Sequence, residues 1–314
     1  MTVTLHIGAH RTATTSFQAY MRRHAADLHC QGVGFWGPLR TRKGLFAGIQ
    51  PVPGLGHGPA AARRARGRIL LQLDKAARQG TRRVVVSDEN MMGSVRQNMR
   101  RRSLYADVGE RVSRYICAFD GQVDTVVLSV RALDRFWASV SAYAVARGHA
   151  VPNGDICDRI AHSARTWRDV IADVACAAPQ ARIVVVPFEV NMGRSDRLLR
   201  ACGVSDAPRA ADPEWLNRAP DAAALRSILA DRGEDPDQVP HDGASRWTPF
   251  DPTARAALRE AYADDMHWLV AGADGLATLT EDLDQTRAGH TPPDGPHARG
   301  QEDDNTQRRL AQPG

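Results

Sequence analysis

Four hydroxyls and one guanidinium fall within six consecutive positions near the start of the chain: Arg11, Thr12, Thr14, Thr15 and Ser16. A guanidinium is a permanent cation with a forked donor set that fits phosphate or sulfate oxygens, and hydroxyls beside it add donors. This combination suits a tetrahedral oxyanion. The plainer alternative is a helix cap, which needs only one Ser or Thr. A second group is Ser87-Asp88-Glu89-Asn90, where Glu89 could take a proton as a general base; there the alternative is that Asp88 or Glu89 caps the next segment. His10, beside Arg11, is the reserve base. A third pair is Arg131 and Ser139. A guanidinium at a strand end and a hydroxyl two helical turns later can close on one phosphate.

These groups need elements to hold them. Val3, Leu5 and Ile7 alternate with Thr4 and His6, and Gly8 ends the run. Beyond a polar loop, Phe17, Tyr20, Met21, His24 and Leu28 recur at helical spacing. The pattern predicts strand, tight loop, helix, and a helix N-terminus favours anions through its free N–H groups and dipole. Further buried strands are predicted at 83–87, 124–131 and 181–189, and helices at 60–78, 104–119, after 131, and at 155–176, 195–202 and 252–270. Strands alternating with helices predict an α/β fold with a central parallel β-sheet flanked by helices. Ligands bind beyond the carboxyl ends of strands in such sheets, which is where Glu89 and Arg131 fall. Residues 32–58 are rich in Gly and Pro and read as a long loop, either admitting substrate or a plain connector. Residues 205–250 read as short helices at most. Apolar residues nearly vanish after 284, so one domain over 1–283 and a disordered polar tail over 284–314 are expected.

Composition narrows the classes. The 314 residues can bury a full core, and 43% hydrophobic with 25% charged content is ordinary for a soluble globular protein. The net charge of +5 favours anionic ligands but is too diffuse to indicate nucleic acid. No apolar run approaches the roughly 18 residues of a membrane span, and no secretory signal is visible, so a cytoplasmic location is expected. The five cysteines have neither disulfide-scaffold nor zinc spacing. No metal-ligand spacing and no nucleophile elbow appear. The basic run at 96–102 reads as a solvated face. The sequence leaves oligomeric state open.

The stretch Arg11-Thr12-Ala13-Thr14-Thr15-Ser16-Phe17-Gln18 resembles the 5′-phosphosulfate loop of sulfotransferases that use 3′-phosphoadenosine 5′-phosphosulfate (PAPS). That loop reads K-[ST]-G-T-[ST] after a strand, and bacterial members often continue S-x-Q. Arg11 stands at the family's Lys and Ala13 at its Gly. Only two lysines, Lys43 and Lys75, occur among 41 basic residues. The nucleotide-triphosphatase loop G-x-x-x-x-G-K-[ST] fits less well, since its second Gly and its Lys are missing. Arg131 and Ser139 are similarly spaced to the family's 3′-phosphate motif, R-[DN]-P-x-x-x-x-x-S-x-Y. Ala132-Leu133 replaces the usual pair, and Ser141 stands at the Tyr place with Tyr143 two further on. Gly243, Arg246 and Trp247 lie where the family has a basic loop over the 3′-phosphate.

The resemblance implies a P-loop-like sulfotransferase fold. It implies transfer of a sulfuryl group from PAPS to a hydroxyl or amine of a small-molecule or glycan acceptor, without a metal. Arg11 would neutralise the leaving phosphosulfate. Residues 12–16, with Ala13 through its backbone, would hold the 5′-phosphate. Arg131 and Ser139 would hold the 3′-phosphate, and Glu89 would be the base, with His10 in reserve. The alternatives are a P-loop phosphotransferase and a non-catalytic nucleotide- or anion-binding protein descended from the same fold.

Overall fold

Alternation in the first strand decides the architecture. Val3 and Leu5 point to one side of β1 (Thr2–His6), Thr4 and His6 to the other, and all four are buried. A strand buried on both sides belongs in a parallel sheet covered on both faces. The computed structural model, which describes residues 1–50, 58–191, 193–210, 215–240 and 246–280, shows that sheet. Its other strands are β2 (Val33–Trp36), β3 (Arg83–Ser87), β4 (Val123–Val130), β5 (Arg182–Pro187) and β6 (Thr278–Leu279). The order is β2-β3-β1-β4-β5-β6, with every pair parallel. Residues Met1–Thr280 form one compact unit; the expected tail, 284–314, lies outside the described residues.

The helices, in chain order, are α1 (Thr14–Arg23), α2 (Ala25–Cys30), α3 (Pro38–Arg40), α4 (Pro59–Arg78), α5 (Val95–Arg101), α6 (Val108–Ala118) and α7 (Leu133–Val145). They continue with α8 (Gly154–Ala161), α9 (Trp167–Ala177), α10 (Phe188–Asn191), α11 (Ser195–Ala201), α12 (Ala222–Asp231) and α13 (Pro252–Val270). Phe17 and Met21 of α1 and Leu199 of α11 pack with Val85, Val127 and Val184 on one face of the sheet. Ile69 of α4, Val112 of α6, Phe136 of α7 and Val170 of α9 pack with Val3, Leu5 and Val126 on the other. The chain leaves β1 for one face and its neighbour β4 for the opposite face. The crevice between their carboxyl ends is therefore a topological switch point, the usual ligand position in open α/β sheets.

The polar side chains of β1 are buried and paired, as burial demands. Thr4 Oγ1 donates to the Cys202 carbonyl at 3.1 Å, and His6 Nδ1 lies 2.8 Å from Ser87 Oγ. Burial pushes the His6 imidazole down to about 3, so it is neutral at physiological pH.

Three expectations change. The single helix over 155–176 is two, α8 and α9. Thr166 and Asp169 form a capping box that starts α9 afresh, and Asp265 of α13 accepts from Thr166 Oγ1 at 2.6 Å and from the Trp167 N–H at 2.9 Å. The loop over 32–58 begins with β2, whose Val33 and Trp36 are buried, and continues through α3 into a helical turn at Thr41–Leu45; 51–57 lie outside the described residues. Residues 205–250 include α12, ten residues long. No helix among the described residues is long and apolar enough to cross a membrane.

Candidate functional site

The loop between β1 and α1 is tightly determined. A Cβ at Gly8 would sit 2.6 Å from His6 Nε2, so the buried histidine below admits only glycine there. Arg11 (φ 69) and Ala13 (φ 61) both lie in the left-handed region, with Thr12 between them. That conformation costs an L-residue with a Cβ about 1–2 kcal/mol. It is held by specific bonds. Thr12 Oγ1 donates to the Ala9 carbonyl at 2.6 Å, the Ala9 N–H donates to the Ser129 carbonyl at 3.0 Å, and Arg131 Nη1 donates to the Arg11 carbonyl at 2.8 Å. The backbone N–H groups of residues 11–16 then have no acceptor among the described residues. Ala13 gives α1 no side-chain cap, and the Thr14 hydroxyl is buried without a partner. A run of unpaired N–H groups through alternating left-handed residues at a helix N-terminus is an anion nest.

This geometry gives Ala13 an unusual response to substitution. Elsewhere Ala→Gly costs roughly 0.5–1 kcal/mol in backbone entropy. Here relief of the left-handed strain offsets that cost, so Ala13→Gly should leave the melting temperature unchanged or raise it by about 2–4 °C. A calorimetric scan showing a clear drop would mean that Ala13 carries no strain.

On the β4 side of the loop lies a cavity of about 790 Å³ lined by seven arginines and three carboxylates. It brings together Arg11, Ala13, Thr15, Arg131 and Ser139, five of the eight residues assigned to anion binding from sequence; Thr12, Thr14 and Ser16 do not line it. Arg11 Nε donates to Ser139 Oγ at 3.0 Å. Arg131 is pinned from several directions. Its guanidinium lies 4.8 Å from the centre of the Phe188 ring, its carbonyl accepts from Trp167 Nε1 at 2.8 Å, and its buried Nε has no partner. Burial lowers the Arg131 guanidinium to about 10, against the opposing pull of Glu189, so it remains charged at neutral pH. Burial also lowers Arg11. A buried Arg131 and a half-buried Arg11 with free donors are a standing demand for an anion. Glu189 is a strut: it accepts from the Ala132 N–H at 3.1 Å and from Tyr262 Oη at 3.3 Å.

The hydroxyls divide their work. Thr12 serves the loop itself. Thr15 Oγ1 accepts from Asn217 Nδ2 at 3.2 Å, and Ser16 Oγ accepts from the Leu216 N–H at 3.1 Å. The segment from Trp215 to Asn217 thus straps across the start of α1 and lines the cavity. Arg246 lines it too and is exposed, whereas Trp247 is largely buried against Ala142 and Leu225. Gly243 lies outside the described residues.

Glu89 and His10 do not line this cavity; they lie on the β3 side of the loop. Glu89 opens a short 3-10 turn beyond β3, with Oε2 accepting from Gln18 at 3.1 Å and Oε1 from Arg42 at 3.0 Å. The capping alternative is realised by its neighbour: Asp88 accepts from the Asn90 N–H at 3.1 Å and is buried against Thr41 and Arg42 at 2.6 Å each. Burial lowers the His10 imidazole. Tyr105 Oη accepts from the His10 N–H and lies 2.9 Å from His10 Nδ1, while Nε2 lies 3.3 Å from Asn90 Oδ1. With the phenol O–H donating to Nδ1 and the ring N–H on Nε2 facing Asn90 Oδ1, Tyr105 occupies the lone pair that a base would use.

Sequence reasoning missed Tyr105, Arg42 and the strap at 215–217. Arg42 stands in a short basic cluster, Arg40-Thr41-Arg42-Lys43, and its partners are 46 and 47 residues away. Tyr105 and the strap belong to no motif. A scan of protein-family models, a search of curated proteins and a search of solved structures each find no match to the chain.

Proposed function

We propose that the protein transfers a sulfuryl group from PAPS to a hydroxyl or amine. The observation that carries this reading is the pairing of an anion nest with the partnerless Thr14 Oγ1 and Arg131 Nε around one arginine-rich cavity. Two adjoining sets of anion donors, joined by the Arg131 bond to the Arg11 carbonyl at 2.8 Å, fit a ligand with two phosphate-type groups, one at the α1 N-terminus and one beside Arg131. A helix cap would need neither Arg131 nor the cavity.

The roles follow from position. The N–H groups of residues 11–16 and the Thr14 hydroxyl hold the 5′-phosphate. Arg131 holds the 3′-phosphate, with Ser139 beside it. Arg11, with no acceptor on its terminal nitrogens among the described residues, neutralises charge on the oxygen between phosphorus and sulfur. Glu89, across the loop from the cavity, takes the proton from the acceptor. The new bond forms from the acceptor atom to sulfur, and the electron pair of the broken S–O bond stays on the 5′-phosphate as adenosine 3′,5′-bisphosphate leaves. The placement puts nucleotide on the β4 side and acceptor on the β3 side, with the nest between them.

Thermal shift tests the reading without knowledge of the acceptor. Ligand binding to the native state stabilises it by about 2.7 kcal/mol at 100 times Kd. Adenosine 3′,5′-bisphosphate should raise the melting temperature more than AMP or ATP–Mg²⁺ at equal concentration. Equal shifts for the bisphosphate and AMP would remove the 3′-phosphate site. A larger shift with ATP–Mg²⁺ would favour a phosphotransferase, and bisphosphate binding without turnover would leave a binding protein.

A further inference from the structure

Two features of the loop and α7 depart from the sulfotransferase pattern, and they touch. Arg11 replaces a lysine, and the aromatic expected at position 141 is displaced to Tyr143. Ser141 is fully buried in the sheet-facing side of α7 and its hydroxyl has no partner. Tyr143 lies four residues after Ser139, so the two share a helix face. Ser139 Oγ accepts from Arg11 Nε at 3.0 Å, and the Arg11 Cζ lies 5.2 Å from the centre of the Tyr143 ring. One turn further, Arg147 brings a second guanidinium 4.4 Å from the same ring. The Arg11 side chain makes no other hydrogen bond or ion pair among the described residues, so the serine and the ring are what aim it.

We infer that Tyr143 is a positioning residue for Arg11. The inference rests on the sulfuryl-transfer reading. A lysine needs no such clamp, because its ammonium is a compact charge that any orientation presents alike. A guanidinium is planar, and its direction matters; an aromatic face within about 6 Å supplies a plane for it to lie on. Ser139 fixes Nε, the ring fixes the plane, and the two terminal nitrogens are left to face the ligand. Tyr143 itself does not line the cavity, so it acts through Arg11 and touches no nucleotide.

The test has two arms on the full chain. The first needs no ligand. The Arg11 Nε–H resonance should be shifted upfield by the ring, keep that shift in Tyr143→Phe and lose it in Tyr143→Leu. The second compares affinities for PAPS and for adenosine 3′,5′-bisphosphate by calorimetry. Arg11 faces an oxygen that both nucleotides carry, the P–O–S bridge of PAPS and a terminal 5′-phosphate oxygen of the bisphosphate, so both affinities report the clamp. Tyr143→Leu should weaken both by about five- to tenfold in the parent, the scale of a desolvated cation–π contact, and by less than about twofold in an Arg11→Lys background, where the clamp has nothing to hold. Equal effects in both backgrounds, or a resonance shift unaltered in Tyr143→Leu, overturn the clamp while leaving the sulfotransferase reading intact. A parent that binds neither nucleotide overturns that reading and the clamp with it.

Discussion

Arg131→Gln should abolish the preference for a 3′-phosphate that the proposed function requires: affinity for adenosine 3′,5′-bisphosphate should fall by about 10–100-fold, to the level of AMP. The size follows from the kind of contact, since a hydrogen bond to a charged group contributes roughly 1.5–3 kcal/mol. Arg131 differs from the six other arginines of the cavity lining. Its guanidinium is largely buried over Phe188, and its free Nε is the only partnerless arginine nitrogen that the cavity lining and the buried polar set share among the described residues. The substitution also removes the bond from Nη1 to the Arg11 carbonyl, a strut of the left-handed loop. AMP affinity should therefore weaken too, by a smaller factor, and the melting temperature should drop. Arg131→Lys separates the two roles, since it keeps a charge and loses the fork. Isothermal titration with both nucleotides checks the result. A variant that still prefers the bisphosphate by the parent's margin would place the 3′-phosphate elsewhere in the arginine-lined cavity.

The second large effect is at Glu89. Glu89→Gln should lower turnover by about 10²-fold or more, the usual range for loss of a general base, while bisphosphate affinity stays within about twofold. The structure isolates the test. Arg42 is anchored by Asp88 at 2.6 Å as well as by Glu89, so the turn beyond β3 keeps its main tether when the carboxylate becomes an amide. Glu89 does not line the cavity, so nucleotide binding has no direct reason to change. Steady-state rates with a panel of hydroxyl and amine acceptors, alongside titration with the bisphosphate, give both quantities. Unchanged turnover would remove Glu89 as base. His10 would then be a poor replacement, because the Tyr105 hydroxyl already holds its Nδ1.

The legible parts of the site were those written in contiguous residues. The alternation over 3–7 announced a strand, and the polar run after it announced a tight loop before a helix, because both patterns are local. The strands at 83–87, 124–131 and 181–189 stood out because a parallel strand buried on both faces is a continuous apolar run. β2 did not stand out, since Val33-Gly34-Phe35-Trp36 is short and set among glycines, and its pairing with β3 is decided by tertiary contact. The break between α8 and α9 was hidden because residues 162–166 contain no Gly or Pro and the apolar spacing runs through them; only the Thr166–Asp169 box marks it. The clustering of Arg42 on Asp88, of Tyr105 on His10 and of Leu216 on Ser16 spans 46, 95 and 200 positions. No local pattern records such distances. The left-handed backbone at Arg11 was equally invisible, as that residue type rarely adopts it.

The loop from Gly8 to Ala13 is held in one shape by bonds to its own neighbours. Its carbonyls, its hydroxyl at Thr12 and its two left-handed residues are fixed by Ala9, Arg131 and Ser129 before any ligand arrives. Association therefore need not freeze the chain at this point: the conformational freedom was surrendered during folding, and the entropy penalty that usually weakens the capture of a small anion by a flexible loop is absent. Recognition at the 5′ end should then be governed by desolvation and charge, with a fast approach steered by the arginine-lined mouth and slowed by added salt.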